Sequence, residues 1–177
     1  GGVGNTTLTK AVFNTKHSKF DCSAFVGEVR DVCSRVSNGM VFLQNDLCKK
    51  LQLDSHANIQ NDFMGKDLFG KRLRHKKVLI VLDDVVNKEQ IDCLAAEGWL
   101  GRGSRVIITT RDKHTLTLCG VPEDKTYEVE KLTDNEAIQL FCQRAFKENQ
   151  NHAPPDEYKH LSNNFVKYAG GLPLALI

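Results

Sequence analysis

Lys76 to Val86 reads KKVLIVLDDVV, two lysines followed by five consecutive apolar residues and the acidic pair Asp83-Asp84. A strand with one wet face alternates apolar and polar residues. Val78 to Leu82 does not alternate, so it predicts a strand buried on both faces, the condition of a parallel sheet covered by helices. Val106-Ile107-Ile108-Thr109 is a second run of this kind. Between the two, Lys88 to Ala96 is expected to form a short helix, and Gly98, Gly101 and Gly103 mark the loop back to the sheet. Upstream, Ala24 to Val29 is β-prone, Leu43, Leu47 and Leu51 recur every four residues, and Ile59 and Phe63 do the same, with Phe69 and Leu73 beyond them. Strands alternating with helices predict an α/β doubly wound domain.

From Lys131 onward helical patterns dominate. Thr133 and Glu136 have the spacing of a capping box, and Ala137, Ile138, Phe141 and Ala145 supply an apolar helical face. After Pro154-Pro155, Tyr158, Leu161, Phe165 and Tyr168 continue at helical intervals toward a stop at Gly170-Gly171. The expected division is an α/β unit over residues 1–130 and a small helical unit over 131–177.

Composition narrows the function. Of 177 residues, 41% are hydrophobic and 26% charged, which supports a packed core rather than disorder. A formal charge of +2 leaves no strong footprint for nucleic acid or an anionic membrane. No apolar run approaches the ~20 residues of a membrane span. The six cysteines show no Cys-x-x-Cys pair and no metal-ligand spacing, so a reduced, intracellular chain is expected. The chain opens inside a glycine-rich loop and stops inside Leu174-Ala175-Leu176-Ile177, so both ends are expected to continue in a longer protein, with a strand feeding the loop upstream of residue 1.

Three motifs carry chemistry. Gly1-Gly2-Val3-Gly4 leads into Asn5-Thr6-Thr7-Leu8, a loop opening a helix, and Gly4-Asn5-Thr6 fills the last three positions of a phosphate-binding loop, G-x-x-x-x-G-K-[ST]. In such a loop backbone N–H groups wrap phosphates and the hydroxyl of the last residue binds Mg²⁺. Asp83 and Asp84, at the end of a buried strand, have the form of a Walker B pair: Asp83 for the metal, Asp84 for the attacking water. Arg111 follows the second buried strand, where residues at the carboxyl ends of parallel strands meet the ligand crevice, and is placed to sense a γ-phosphate. Each motif alone has an ordinary alternative: a turn that binds nothing, acids that cap the next helix, and a surface arginine paired with Asp112.

Together, in this order, the motifs make the chain resemble the NB-ARC nucleotide-binding domain of plant disease-resistance receptors, over Gly1 to Leu176. The matching segments are Gly1 to Gly4, Lys76 to Val86, Gly103 to Leu116, Tyr127 to Phe146 and Gly170 to Leu176 (GGLPLAL). Phe20, Phe25, Val29, Arg30 and Val86, the last where the coiled-coil subclass has tryptophan, resemble the subclass with an N-terminal Toll/interleukin-receptor-like (TIR) domain. The resemblance implies a P-loop NTPase parallel sheet of the STAND/AAA+-like kind followed by a helical (ARC1) subdomain. It implies ADP/ATP and Mg²⁺ as cofactors. Gly2, Gly4, Asn5, Thr6, Thr7 and Arg111 would lie on the nucleotide, Thr6 and Asp83 on the metal, Asp83 and Asp84 at the hydrolytic centre, and Pro173 against adenine. The implied function is an ADP/ATP switch with weak, regulatory ATPase activity in a cytoplasmic or nucleocytoplasmic immune receptor. Its implied partners are intramolecular TIR and leucine-rich-repeat domains and a homo-oligomer on activation, without direct nucleic-acid contact or a membrane span. One departure bears on this: Asn5 stands where the family has lysine. A nucleotide-independent interaction module, or a non-functional resistance-gene analogue, is the alternative that Asn5 raises.

Overall fold

The computed structural model describes residues 2–54, 56–146 and 154–176. The chain divides into two compact units, one of Thr6–Thr126 and one of Gly1–Asn5 with Tyr127–Ile177. The division falls at Thr126, and the first five residues group with the second unit.

The larger unit is built on three parallel strands, β1 (Cys22–Val26), β2 (Val78–Leu82) and β3 (Arg105–Ile108), with β2 in the centre. All five residues of β2 are buried, as the unbroken apolar run requires. Its register aligns Val26 with Leu82 and Leu82 with Ile108, so the three strands end level at their carboxyl edge. Helices α1 (Asn5–Lys16), α2 (Val29–Arg35), α3 (Gly39–Lys50), α4 (Asp62–Leu73), α5 (Lys88–Leu94) and α6 (Lys113–Leu118) make the connections. Leu43, Leu47 and Leu51 of the α3 region and Phe69 and Leu73 of α4 pack into one core with Val78, Ile80 and Leu82.

Three local expectations differ from what forms. The first strand ends at Val26, and Glu28, with φ 56°, turns the chain so that Val29 starts α2. Tertiary partners cause this: the Val29 and Arg30 amides donate to the carbonyls of Asp83 and Asp84 at 3.0 and 3.1 Å, satisfying the opening N–H groups of α2. Phe63 is 79% exposed, because Asn61 caps α4 and leaves Phe63 in its first turn, outside the stripe that buries Phe69 and Leu73. The second apolar run is the third difference: Val106, Ile107 and Ile108 are half-buried, because β3 lies at the edge of the described sheet and is not covered on both faces. Helix α1 rests on β1 through Phe13, whose ring meets Phe25 edge-on at 5.9 Å.

The smaller unit holds α7 (Asp134–Ala145) and α8 (Lys159–Ala169) around a core of Ala137, Val166, Ala169 and Leu176. The capping box forms as expected: the Thr133 hydroxyl accepts from Glu136 N, and the Glu136 carboxylate accepts from Thr133 N. Helix α8 ends at Gly170 in the left-handed region. Its buried face is not the aromatic one. Ser162, Val166 and Ala169 are buried, while Leu161, Phe165 and Tyr168 are exposed. Small residues let α7 and α8 approach closely, and the large rings lie at the rim, Phe165 against Phe141 at 5.5 Å.

All six cysteines are free thiols, and burial pushes every thiol pKa up, so none is an activated nucleophile. Among the described residues no helix is long and apolar enough to cross a membrane.

Candidate functional site

The level carboxyl edge of the sheet brings together the polar residues that follow buried β2 and half-buried β3. Asp83 N donates to Val26 O at 2.8 Å and Thr109 N to Leu82 O at 2.9 Å, so both residues leave the sheet side by side. The Thr109 hydroxyl donates to Asp83 Oδ1 at 2.7 Å. From the first turn of α1, the Thr6 hydroxyl reaches the same carboxylate, at 3.0 Å from Oδ1 and 2.9 Å from Oδ2. Asp83 is only 3% exposed, and two hydroxyl donors offset the desolvation of its charge. A hydroxyl that donates its proton to a carboxylate keeps its lone pairs outward. Thr6 and Asp83 therefore form a hard-oxygen pair, the donor set Mg²⁺ takes together with phosphate oxygens and water. The residues present fit that ion.

Asp84 is the neighbouring carboxylate, with a backbone φ of 61°, a region that non-glycine residues seldom occupy. Its conformation is over-determined: Asp84 N donates to Thr109 Oγ1 at 2.9 Å, Asp84 O accepts from Arg30 N, and Val85 N donates to Thr109 O at 2.9 Å. Two guanidinium groups hold its side chain, Arg30 Nη2 at 2.9 Å from Oδ2 and Arg111 Nε at 3.1 Å from Oδ1. Arg111 thus pairs with Asp84, and the alternative pairing with Asp112 does not form. Asp112 instead caps α6 by accepting from His114 N. Nor do Asp83 and Asp84 cap the next helix, since Asn87 fills that position on α5.

Thr7 is exposed on α1. In the smaller unit, Gly2 and Gly4 have φ of 89° and 101°, which only glycine adopts without strain. Gly2 O accepts from Leu174 N at 3.2 Å, and a Cβ on Gly2 would stand 3.3 Å from that of Leu174. Pro173 opens a short 3₁₀ turn (Pro173–Ala175), its Cγ 4.0 Å from where a Gly4 Cβ would be. Asn5 is partly buried at the start of α1.

Among known protein families, the family model of the NB-ARC domain matches residues 1–151. The chain belongs to the NB-ARC domain family. It is 44% identical over 184 residues to the TMV resistance protein N of Nicotiana glutinosa, covering 99% of this chain and 15% of that protein. It is 39% identical over 178 residues to disease resistance protein RUN1 of Vitis rotundifolia, covering 99% of this chain and 13% of the other. With disease resistance protein RPP2B of Arabidopsis thaliana the identity is 38% over 176 residues, again 99% of this chain and 14% of the relative. This NB-ARC chain therefore spans only about one-seventh of the length of these curated relatives.

Sequence reasoning gave no role at this NB-ARC sheet edge to Thr109 or Arg30. Thr109 had a visible signal, being the first polar residue after an apolar run that forms a parallel strand. Arg30 was marked only by the subclass resemblance, which gives it no partner, since only tertiary folding carries the start of α2 to the acidic pair.

Proposed function

We propose that this domain is a nucleotide-responsive switch in an intracellular plant immune receptor, binding ADP or ATP with Mg²⁺ and turning ATP over slowly to reset. The observation that carries the reading is the shared carboxylate edge: Thr6 and Thr109 on Asp83, beside Asp84 with Arg111. Thr6 and Asp83 would hold Mg²⁺, which when bound would neutralise phosphate charge. Asp84 would orient the attacking water, and Arg111 would exchange its carboxylate partner for a γ-phosphate. Gly2, Gly4, Asn5 and Thr7 would line the phosphates and Pro173 the base. Nucleotide state would then bias the sheet unit, proposed as residues 1–130, against the helical unit, 131–177. In the whole receptor the neighbours would be TIR and leucine-rich-repeat domains, with self-association on activation, in a cytoplasmic or nucleocytoplasmic setting.

The test is equilibrium binding of radiolabelled ATP and ADP with Mg²⁺ to the full chain, against Asp83→Ala. Micromolar binding lost in the variant supports the reading, and equal binding by both proteins overturns it. Asn5 favours a second reading, a nucleotide-independent interaction module. A charged hydrogen bond to phosphate contributes about 1.5–3 kcal/mol, roughly ten- to a hundredfold in affinity, and asparagine does not supply it. Under that reading Asn5→Lys leaves signalling unchanged.

A further inference from the structure

The Val29-Arg30 pair, noted in the sequence only as a mark of subclass, lies against the acidic pair. Val29 N donates to Asp83 O, Arg30 N donates to Asp84 O, and the Arg30 guanidinium sits 2.9 Å from the Asp84 carboxylate. On its other side the same guanidinium is held by Asp31, Nε to Oδ1 at 3.3 Å. Arg30 is thus fixed to Asp84 through both backbone and side chain. Arg111 touches the same carboxylate through its side chain alone and is the more exposed of the two, 56% against 34%. The clamp is asymmetric.

We infer that Arg30 is the positioning residue that frees Arg111: it stays on Asp84 as a permanent counter-ion, so that Arg111 can leave for a nucleotide's terminal phosphate without abandoning a shielded carboxylate. The inference rests on the nucleotide reading above and adds a residue to it. Asp84 is 17% exposed at its side chain, and with Arg111 as its only cation the departure of Arg111 would leave that charge unpaired. With Arg30 in place the carboxylate keeps one close partner in either state. Arg30 therefore sets the discrimination between triphosphate and diphosphate while touching neither.

The experiment compares Kd values for ADP and for the non-hydrolysable triphosphate AMP-PNP, both with Mg²⁺, on the full chain and on Arg30→Ala, Arg30→Lys, Asp84→Asn and Arg30→Ala/Asp84→Asn. Arg30→Ala is expected to weaken AMP-PNP about fivefold relative to ADP, with Arg30→Lys within about twofold of the parent. In the Asp84→Asn background, removing Arg30 is expected to leave the ratio unchanged, because no charge remains to be paired. Arg30→Gln makes the same comparison should Arg30→Ala not fold. An unchanged AMP-PNP/ADP ratio in a folded Arg30 variant overturns the inference and leaves Arg30 as an anchor of α2. A ratio that shifts equally with and without the Asp84 charge overturns it too. A parent chain that binds neither nucleotide removes the nucleotide reading itself, and this inference with it.

Discussion

The hydroxyl of Thr109 and the carboxylate of Asp83 lie 2.7 Å apart across the carboxyl edge of the sheet. The same Thr109 oxygen accepts from Asp84 N, so one side chain serves both acids. Thr109→Val keeps the shape and removes both bonds. It is expected to destabilise the domain by about 1–3 kcal/mol, since a buried carboxylate and a backbone N–H each lose a partner. Chemical denaturation measures this, and Thr109→Ser should recover most of the loss. Equal midpoints for the valine and serine variants would contradict the assignment.

Asn5 occupies the position where a phosphate loop carries lysine. Asn5→Lys is expected to tighten ADP binding by roughly ten- to a hundredfold. Calorimetric titration of both proteins decides it, and identical affinities would favour the interaction module.

Gly65 packs against a buried glutamine. Gln44 is fully buried, and its Nε2 donates to Asp62 O at 3.2 Å and Cys93 O at 3.0 Å. A Cβ at position 65 would overlap the Gln44 carboxamide. Helix propensity favours alanine over glycine by about 1 kcal/mol. Even so, Gly65→Ala is expected to destabilise by a net ~1–2 kcal/mol, because Gln44 cannot move aside without breaking those bonds. Adding Gln44→Ala should cost less than its own single effect, a non-additivity that a denaturation cycle would detect.

Glu136 closes the capping box of α7, and the Thr133 amide and hydroxyl hold its carboxyl below the ordinary carboxylate range. A depressed folded value means that the cap's contribution is complete above the unfolded glutamate value, about 4.3, and is lost as pH falls through the lower folded value. The amide protons of the first turn of α7 should exchange faster across that acid window. Glu136→Gln should flatten the dependence, and an unchanged acid profile would argue against the box as its source.

Much of this was readable along the chain. The unbroken apolar run of β2 demanded a strand covered on both faces, and a strand of that kind had to end in the Asp83-Asp84 pair. Thr133 and Glu136 form their cap within one helical turn, so nearest neighbours were enough to reveal it. Val29 is the contrary case. Its β-branched side chain suits a strand, yet it begins a helix, because the carbonyls that receive the α2 amides belong to residues after β2. The exposed aromatics of α8 make the same point from packing: helical spacing showed which residues share a face, and closeness of approach made Ser162, Val166 and Ala169 the buried ones.

Local covalent and periodic constraints thus account for most of the elements, α2 excepted, and for the chemistry available at their ends. The partners within the site follow from the parallel register, which brings Val26, Leu82 and Ile108 to one level. That alignment places Thr109 on Asp83 and Arg30 on Asp84, contacts between residues distant in the chain. No periodicity encodes them, since a hydrogen bond depends on positions in space that only the packed sheet supplies.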